Sequence, residues 1–289
     1  MKVRFAVAPH SGLPAEQLAG FGEAVEATGF DGVWLSDLPV SATLDPLIAL
    51  GVLAGRCRRM HLGANLVPLG RNPYLLAKSL AHLDRLSDGR LLLSFVTGLH
   101  RQGEREVLRL DDASRGDLLE ESLRLLRAWW AGETVRWDAA EVPSPAKPLQ
   151  QPLEVWLGGR GPRALERVGR VADGWLGAAV PPAGAAGARE RIQAAAEAAG
   201  REIDPEHFGM SIPYARSQPP AAVLADLGRR SGETDPRELL PVGRDALRAM
   251  LAGYLDAGLS KFVVRPVVAI ESWTEELGWL ADAILDLQT

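Results

Sequence analysis

The residues best suited to hold an anion lie between Glu154 and Arg167, in EVWLGGRGPRALER. The stretch reads as a short buried strand over 155–157, a glycine-rich turn (Gly158, Gly159, Arg160, Gly161) and a helix opened by Pro162. Proline suits the first helical position because its missing N–H would find no partner there. Glycines let a ligand come close to the backbone. The helix start turns unpaired N–H groups and the positive end of the dipole outward, which favours a phosphate. Arg160 adds a positive charge. A plain strand-to-helix turn is written with the same letters, so this stretch alone leaves both readings open.

Other candidates sit singly. His10 follows a strand-like run over Lys2–Ala8; imidazole titrates near neutral pH and can serve as acid or base, or be an ordinary turn histidine. Asp37 follows the apolar run Gly32–Ser36 and can anchor a hydroxyl, donate a proton, or simply cap a turn. Asn65 lies in MHLGANLV (60–67), Thr97 and Gly98 follow Leu91–Val96, His100 comes just after, and Trp175 lies in the short run DGWLG. His61, His82 and His207 fall inside a strand, inside a helix and at a strand start, where structural roles are expected. There is no GxSxG elbow, no Cys–His pair and no HExxH, so neither a nucleophilic triad nor a metal site is expected.

These candidates are tied together by the elements that would carry them. Eight short apolar runs alternate with helical patterns: strands over 2–8, 32–36, 60–67, 91–96, 155–157, 173–177, 208–214 and 261–264. Helices are expected over 14–28, 45–56, 72–86 and 117–130, from Pro162 onward, and over 183–199, 219–230, 243–257 and 272–287. Asp45-Pro46 and Asn72-Pro73 mark two helix starts and Gly29 a helix stop. Apolar strands without clean alternation fit a parallel sheet covered by helices. A doubly wound sheet is open to the pattern, but eight such units ending near the C-terminus favour a single α/β domain over 1–289, a (β/α)8 TIM barrel. In that fold functional residues sit at the C-terminal strand ends, the rule that selects His10, Asp37, Asn65, Thr97, Gly98, His100, the 158–161 turn and Trp175. The polar segment 99–115 is longer than an ordinary connection and reads as an excursion. Most tryptophans fall inside elements and are expected in the core.

A net charge of −5 argues against nucleic acid or an anionic membrane as the main partner, while leaving room for a local anion cradle. The single cysteine, Cys57, precludes an intrachain disulfide and fits a cytoplasmic setting. No apolar run approaches the ~20 residues of a membrane span, and no signal peptide is expected.

Several segments, taken in order, resemble the bacterial-luciferase-like family of flavin- and deazaflavin-dependent oxidoreductases. They are ATGFDGVWLSD (27–37), Asn72-Pro73 with the helix running to LDRLSDGR (83–90), GGRGPRA (158–164), ADGW (172–175), PVGR (241–244) and DAG (256–258). The glycine turn with ADGW is most similar to members that use coenzyme F-420. The resemblance implies a luciferase-like (β/α)8 barrel, a homodimer, and hydride transfer between the deazaflavin and a small organic substrate. The cofactor's phosphate tail would lie on Gly158–Gly161. It further implies a non-proline cis peptide at Asn65-Leu66, pressing on the central ring. Two positions depart from family patterns: Leu38 stands where acid–base members carry His, and Leu99 where sugar-phosphate dehydrogenases carry Glu. An FMN-dependent monooxygenase is the alternative, separable because a 5-deaza ring does not support the dioxygen chemistry that monooxygenation needs. A barrel without catalysis, serving in binding or assembly, is the third reading.

Overall fold

Short apolar runs form the strands of the main sheet, and helices alternate with them along most of the chain. In chain order the elements are β1 (Arg4–Val7), α1 (Leu18–Thr28), β2 (Gly32–Ser36), α2 (Pro46–Arg56), β3 (His61–Leu66), α3 (Pro73–Leu86) and β4 (Leu91–Phe95). Then come α4 (Glu104–Val107), α5 (Arg115–Ala131), β5 (Val135–Trp137), β6 (Ala140–Val142), β7 (Val155–Leu157), α6 (Pro162–Val171), β8 (Gly174–Ala178) and α7 (Pro182–Ala198). The chain closes with β9 (Phe208–Tyr214), α8 (Ala221–Ser231), α9 (Pro236–Leu239), α10 (Arg244–Asp256), β10 (Lys261–Pro266) and α11 (Trp273–Ile284). This computed structural model describes residues 1–10, 12–99, 101–110, 114–232 and 234–289, with the side chains at 230 and 231 set aside.

The strands of the main sheet close in the order β1-β10-β9-β8-β7-β4-β3-β2, the (β/α)8 barrel expected from the sequence. Two compact units make up the chain: Met1–Trp34 with Trp156–Thr289, and Leu35–Val155.

In the first unit, β1 and β10 pair in parallel from Arg4↔Lys261 to Val7↔Val264, and Phe5 stacks on Phe262 at 5.6 Å. β10 continues alongside β9 from Lys261↔Gly209 to Pro266↔Tyr214. In the second unit, β3 and β4 pair from Leu62↔Leu91 to Leu66↔Phe95. The Pro-rich return over 142–152 is fastened by Asp84, a fully buried carboxylate on α3. It accepts from Leu149 N–H at 2.7 Å, Gln150 N–H at 2.9 Å and Gln150 Nε2 at 2.6 Å.

Three features differ from the sequence expectation. The antiparallel pair β5–β6 lies between the helix expected to end at 130 and the strand expected from 155, where no element was expected, because its turn carries Asp138 at φ 51° without an Asn-Gly or Asp-Gly signature. It is held by Trp129, whose indole packs edge-on against Trp137 and donates to Val142 O at 3.2 Å. The excursion over 99–115 contains the short helix α4, and α5 begins at Arg115. Among the described residues the cis peptide is Gln151-Pro152, so Asn65-Leu66 is trans and the implied cis bond is withdrawn. The reason lies in the ladder: Asn65 O accepts from Asp37 N–H at 2.8 Å and Leu66 O from Val96 N–H at 2.9 Å, as a regular trans strand end requires.

Candidate functional site

In the first unit the glycine turn follows β7 and leads into α6. Gly159 has φ +118°, and a Cβ there would lie 2.6 Å from the Ala164 Cβ, so no other residue fits this corner undistorted. Gly159 O accepts from Trp175 Nε1 at 2.8 Å. Trp175 is fully buried in β8, so its expected place beside a ligand is corrected: it braces the turn from behind. Burying an indole N–H requires a partner, and the carbonyl of Gly159 is that partner. Arg160 is exposed, and its Nη1 donates to Ala179 O, just past β8, at 3.1 Å.

The start of α6 is left open. Three other helices begin Asx-Pro, and each is capped by its Asx side chain. Asp45 accepts from Leu47 and Ile48 N–H, Asn72 from Leu75 N–H and Asp235 from Arg237 N–H. α6 begins Gly161-Pro162 with no side-chain cap. A Cβ at Gly161 meets nothing within 4 Å and its φ is an ordinary −73°, so space and conformation would admit a capping residue. Pro162 has no N–H and Ala164 N–H donates to Gly161 O at 2.9 Å, so within the first turn it is the Arg163 N–H that has room in front of it for an external acceptor.

His10 lies just beyond β1, half-buried. Burial first, and then the Arg265 guanidinium, lower its pKa below the ordinary imidazole value. Its Nδ1 accepts from Gly12 N–H at 3.2 Å. The neutral ring that accepts at Nδ1 carries its proton on Nε2, which makes His10 a neutral Nε2–H donor.

In the second unit three expected residues come together. Asp37 is 7% exposed; its Oδ2 accepts from Val67 N–H at 3.1 Å and from Arg71 Nη2 at 2.9 Å, and Arg71 also reaches Asp45 at 3.2 Å. Burial outweighs Arg71 and pushes the Asp37 carboxyl above its usual range. Asn65 is half-buried and joined to Asp37 through the backbone, while Leu66 is fully buried. Arg71 carries no motif of its own; its place before Asn72-Pro73 was the available signal.

Thr97 and Gly98 follow β4, and their surroundings were not legible in the sequence. Arg115 Nη1 donates to Thr97 O at 2.8 Å and pairs with Glu104 Oε2 at 2.5 Å, while Glu104 Oε1 accepts from Leu99 N–H at 3.2 Å. Glu104 and Arg115 are 1% and 7% exposed. Gly98 has φ +87°, and a Cβ there would lie 2.8 Å from Glu104 Oε2 and 2.9 Å from Arg115 Nη1. The glycine thus makes room for this ion pair. A carboxylate does reach the backbone beside Gly98, delivered by α4 instead of by position 99, and it is committed to Arg115. His100 lies outside the described residues.

Among the described residues no helix is long and apolar enough to cross a membrane. A family model described as luciferase-like monooxygenase matches residues 1–261. A 5,10-methylenetetrahydromethanopterin reductase of Methanolobus tindarius is 28% identical over 193 residues, covering 65% of this chain and 58% of that protein. A phthiodiolone/phenolphthiodiolone dimycocerosates ketoreductase of Mycobacterium kansasii is 33% identical over 174 residues, 56% of this chain and 47% of that protein. The chain thus spans about half the length of the curated relatives it matches. Among solved structures, an F-420-dependent secondary alcohol dehydrogenase in complex with an F-420–acetone adduct superposes with TM-score 0.82 at 16% identity, covering both chains fully. A long-chain alkane monooxygenase superposes with TM-score 0.77 at 13% identity, over 99% of this chain and 92% of that one. At these identities the structures show a shared fold.

Proposed function

The chain belongs to the luciferase-like monooxygenase family, and on that premise we propose that it is an oxidoreductase using coenzyme F-420, with a small organic molecule as hydride donor or acceptor. The observation that carries this reading is the uncapped start of α6, with Gly158–Gly161 in front and Trp175 behind. Its residues fit a phosphate-bearing cofactor: the backbone is open, no side chain competes for the helix N–H groups, and the turn's shape is locked. When bound, the deazaflavin supplies the hydride chemistry. The chain supplies the phosphate cradle, a neutral Nε2–H donor at His10, and a carboxyl at Asp37 held by Arg71. Two relatives named as reductases support hydride transfer, and the F-420-dependent dehydrogenase of the same fold supports this cofactor.

FMN-dependent monooxygenation is the second reading, supported by the description of the family model. Titration of the protein with oxidised coenzyme F-420 and, separately, with FMN, followed by fluorescence, tests both. Saturable binding of the deazaflavin alone is expected. Preference for FMN would shift the reading to flavin chemistry, and binding of neither would leave a barrel without catalysis.

A homodimer belongs to the same proposal. α2 is apolar on its outward face as well: Ile48 (73% exposed), Gly51, Val52 (45% exposed) and Gly55 recur at helical spacing with no charge among them. A helix apolar all round is usually covered on both sides. Ile48→Glu is expected to convert a dimer to monomer by light scattering; a wild-type monomer at micromolar concentration would refute it.

A further inference from the structure

A cavity of about 640 Å³ opens in the first unit, between the chain following β9, the chain following β10, and the start of α11. Its volume is that of a small-molecule site. Its walls are fixed by backbone bonds. Ala215 N–H donates to Pro241 O at 3.1 Å, Gly243 N–H to Ala215 O at 2.8 Å, and Val267 N–H to Tyr214 O at 3.0 Å.

The floor holds an organised ion pair. Glu276 is 3% exposed; its Oε1 accepts from the Tyr214 hydroxyl at 2.8 Å and its Oε2 from Arg216 Nη1 at 3.3 Å. The Arg216 guanidinium lies over the Trp279 ring, 5.6 Å from its centroid, and Arg244 lies over the same ring at 5.6 Å. Tyr214 stacks parallel to Trp279 at 5.8 Å. Arg216 is therefore braced by a buried carboxylate and an aromatic face. Only one of its five N–H donors is engaged among the described residues, and its side chain is 46% exposed along the cavity. A fork held this way has little rotamer entropy left to lose on binding a planar anion.

The rest of the lining selects which anion. Pro219, Pro266, Val268 and Ile270 offer an apolar wall. At the rim, Glu271 and Glu275 are exposed carboxylates without a charged partner among the described residues. Their charge weighs against any anion and about twice as much against a dianion as against a monoanion. We propose that this cavity binds a small, largely apolar monocarboxylate, its carboxylate received by Arg216 and its body by the apolar wall. Every residue it uses lies at 214–279, at the C-terminal ends of β9 and β10 and the start of α11, and none belongs to the phosphate turn.

The test is calorimetric titration of the cofactor-free protein with 3-phenylpropionate. Three matched probes differ in charge alone or nearly so: 3-phenylpropanol, 3-phenylpropylamine and the dianion phenylsuccinate. Saturable binding of the monocarboxylate is expected, with the other three at least tenfold weaker. Arg216→Gln is expected to weaken it tenfold or more, since a charge-assisted bidentate contact is lost. Arg216→Lys keeps the charge without the fork and is expected to fall between the two. No saturable binding, equal or tighter binding of the amine or alcohol, or unchanged affinity in a folded Arg216→Gln protein would each overturn the proposal.

Discussion

Replacing Gly161 by Asp should make the protein more stable and its cofactor binding weaker. Position 161 is the N-cap of α6, exposed, with φ −73° and free space where a Cβ would stand. At α2 Asp45 accepts from the second and third helical N–H groups at 2.9 and 3.3 Å; an Asp at 161 can do the same for the second, Arg163 N–H, while the third, Ala164 N–H, already donates to Gly161 O. Relative to glycine such a cap contributes a few tenths of a kcal/mol. Its charge against the helix dipole adds ~0.3–1 kcal/mol. The sum is expected to raise the melting midpoint by about 1–5 °C. The same carboxylate repels a bound phosphate. At ~5 Å and an effective dielectric constant of ~40, one charge pair costs about 1.7 kcal/mol. Loss of an N–H to the new side chain costs about 1 kcal/mol more. Together these weaken binding roughly a hundredfold. Fluorescence titration with coenzyme F-420 and with FMN, beside a thermal melt, measures both effects in one preparation. Molar salt should restore most of the Coulomb part, as the screening length falls to about 3 Å. Gly161→Asn, a neutral cap, should lose only about fivefold, corresponding to the one N–H it occupies. A folded, stabilised Gly161→Asp protein that binds its cofactor within twofold of wild type would refute the phosphate cradle. Gly159 is unsuited to this test, because any side chain there meets Ala164 whatever its charge.

Removing either partner of the buried Glu104–Arg115 pair strands a charge, so Arg115→Met is expected to cost about 3–5 kcal/mol in denaturant unfolding. A loss below about 1 kcal/mol would mean water reaches the pair. Exchanging Gly98 for Ala should also destabilise, through the +87° φ and the approach of both charged groups, and a neutral outcome in the same assay would show that the loop re-forms elsewhere. His10 has a lowered pKa in the folded chain, so the unfolded chain takes up its proton first as the pH falls. Its share of stability is present above the ordinary histidine range and is lost as pH drops toward the shifted midpoint. His10→Asn should flatten that part of the stability–pH curve. Long-range nitrogen–proton spectra should show the Nε2–H tautomer; an Nδ1–H tautomer or an unshifted midpoint would discard the assignment.

Local chemistry was enough to read the order of elements. Asp45-Pro46 and Asn72-Pro73 start helices because a short polar acceptor precedes a ring that needs no N–H partner, and both act as caps in the structure. Eight apolar runs alternating with amphipathic helices favour a barrel over a doubly wound sheet, since parallel strands need crossovers and a closed sheet leaves no edge. The glycine turn was legible for the same reason, its conformational needs being written in its own letters. Tertiary structure decided what surrounds each candidate. Gly98 looked like a place for a ligand, and only the fold shows Glu104 and Arg115 arriving there from α4 and α5. Trp175 looked like a pocket wall, but the register of β8 turns it inward onto Gly159 O. Asp37 shows its raised pKa only once burial and Arg71 are known, because desolvation and charge pairing are properties of a site and not of a residue type.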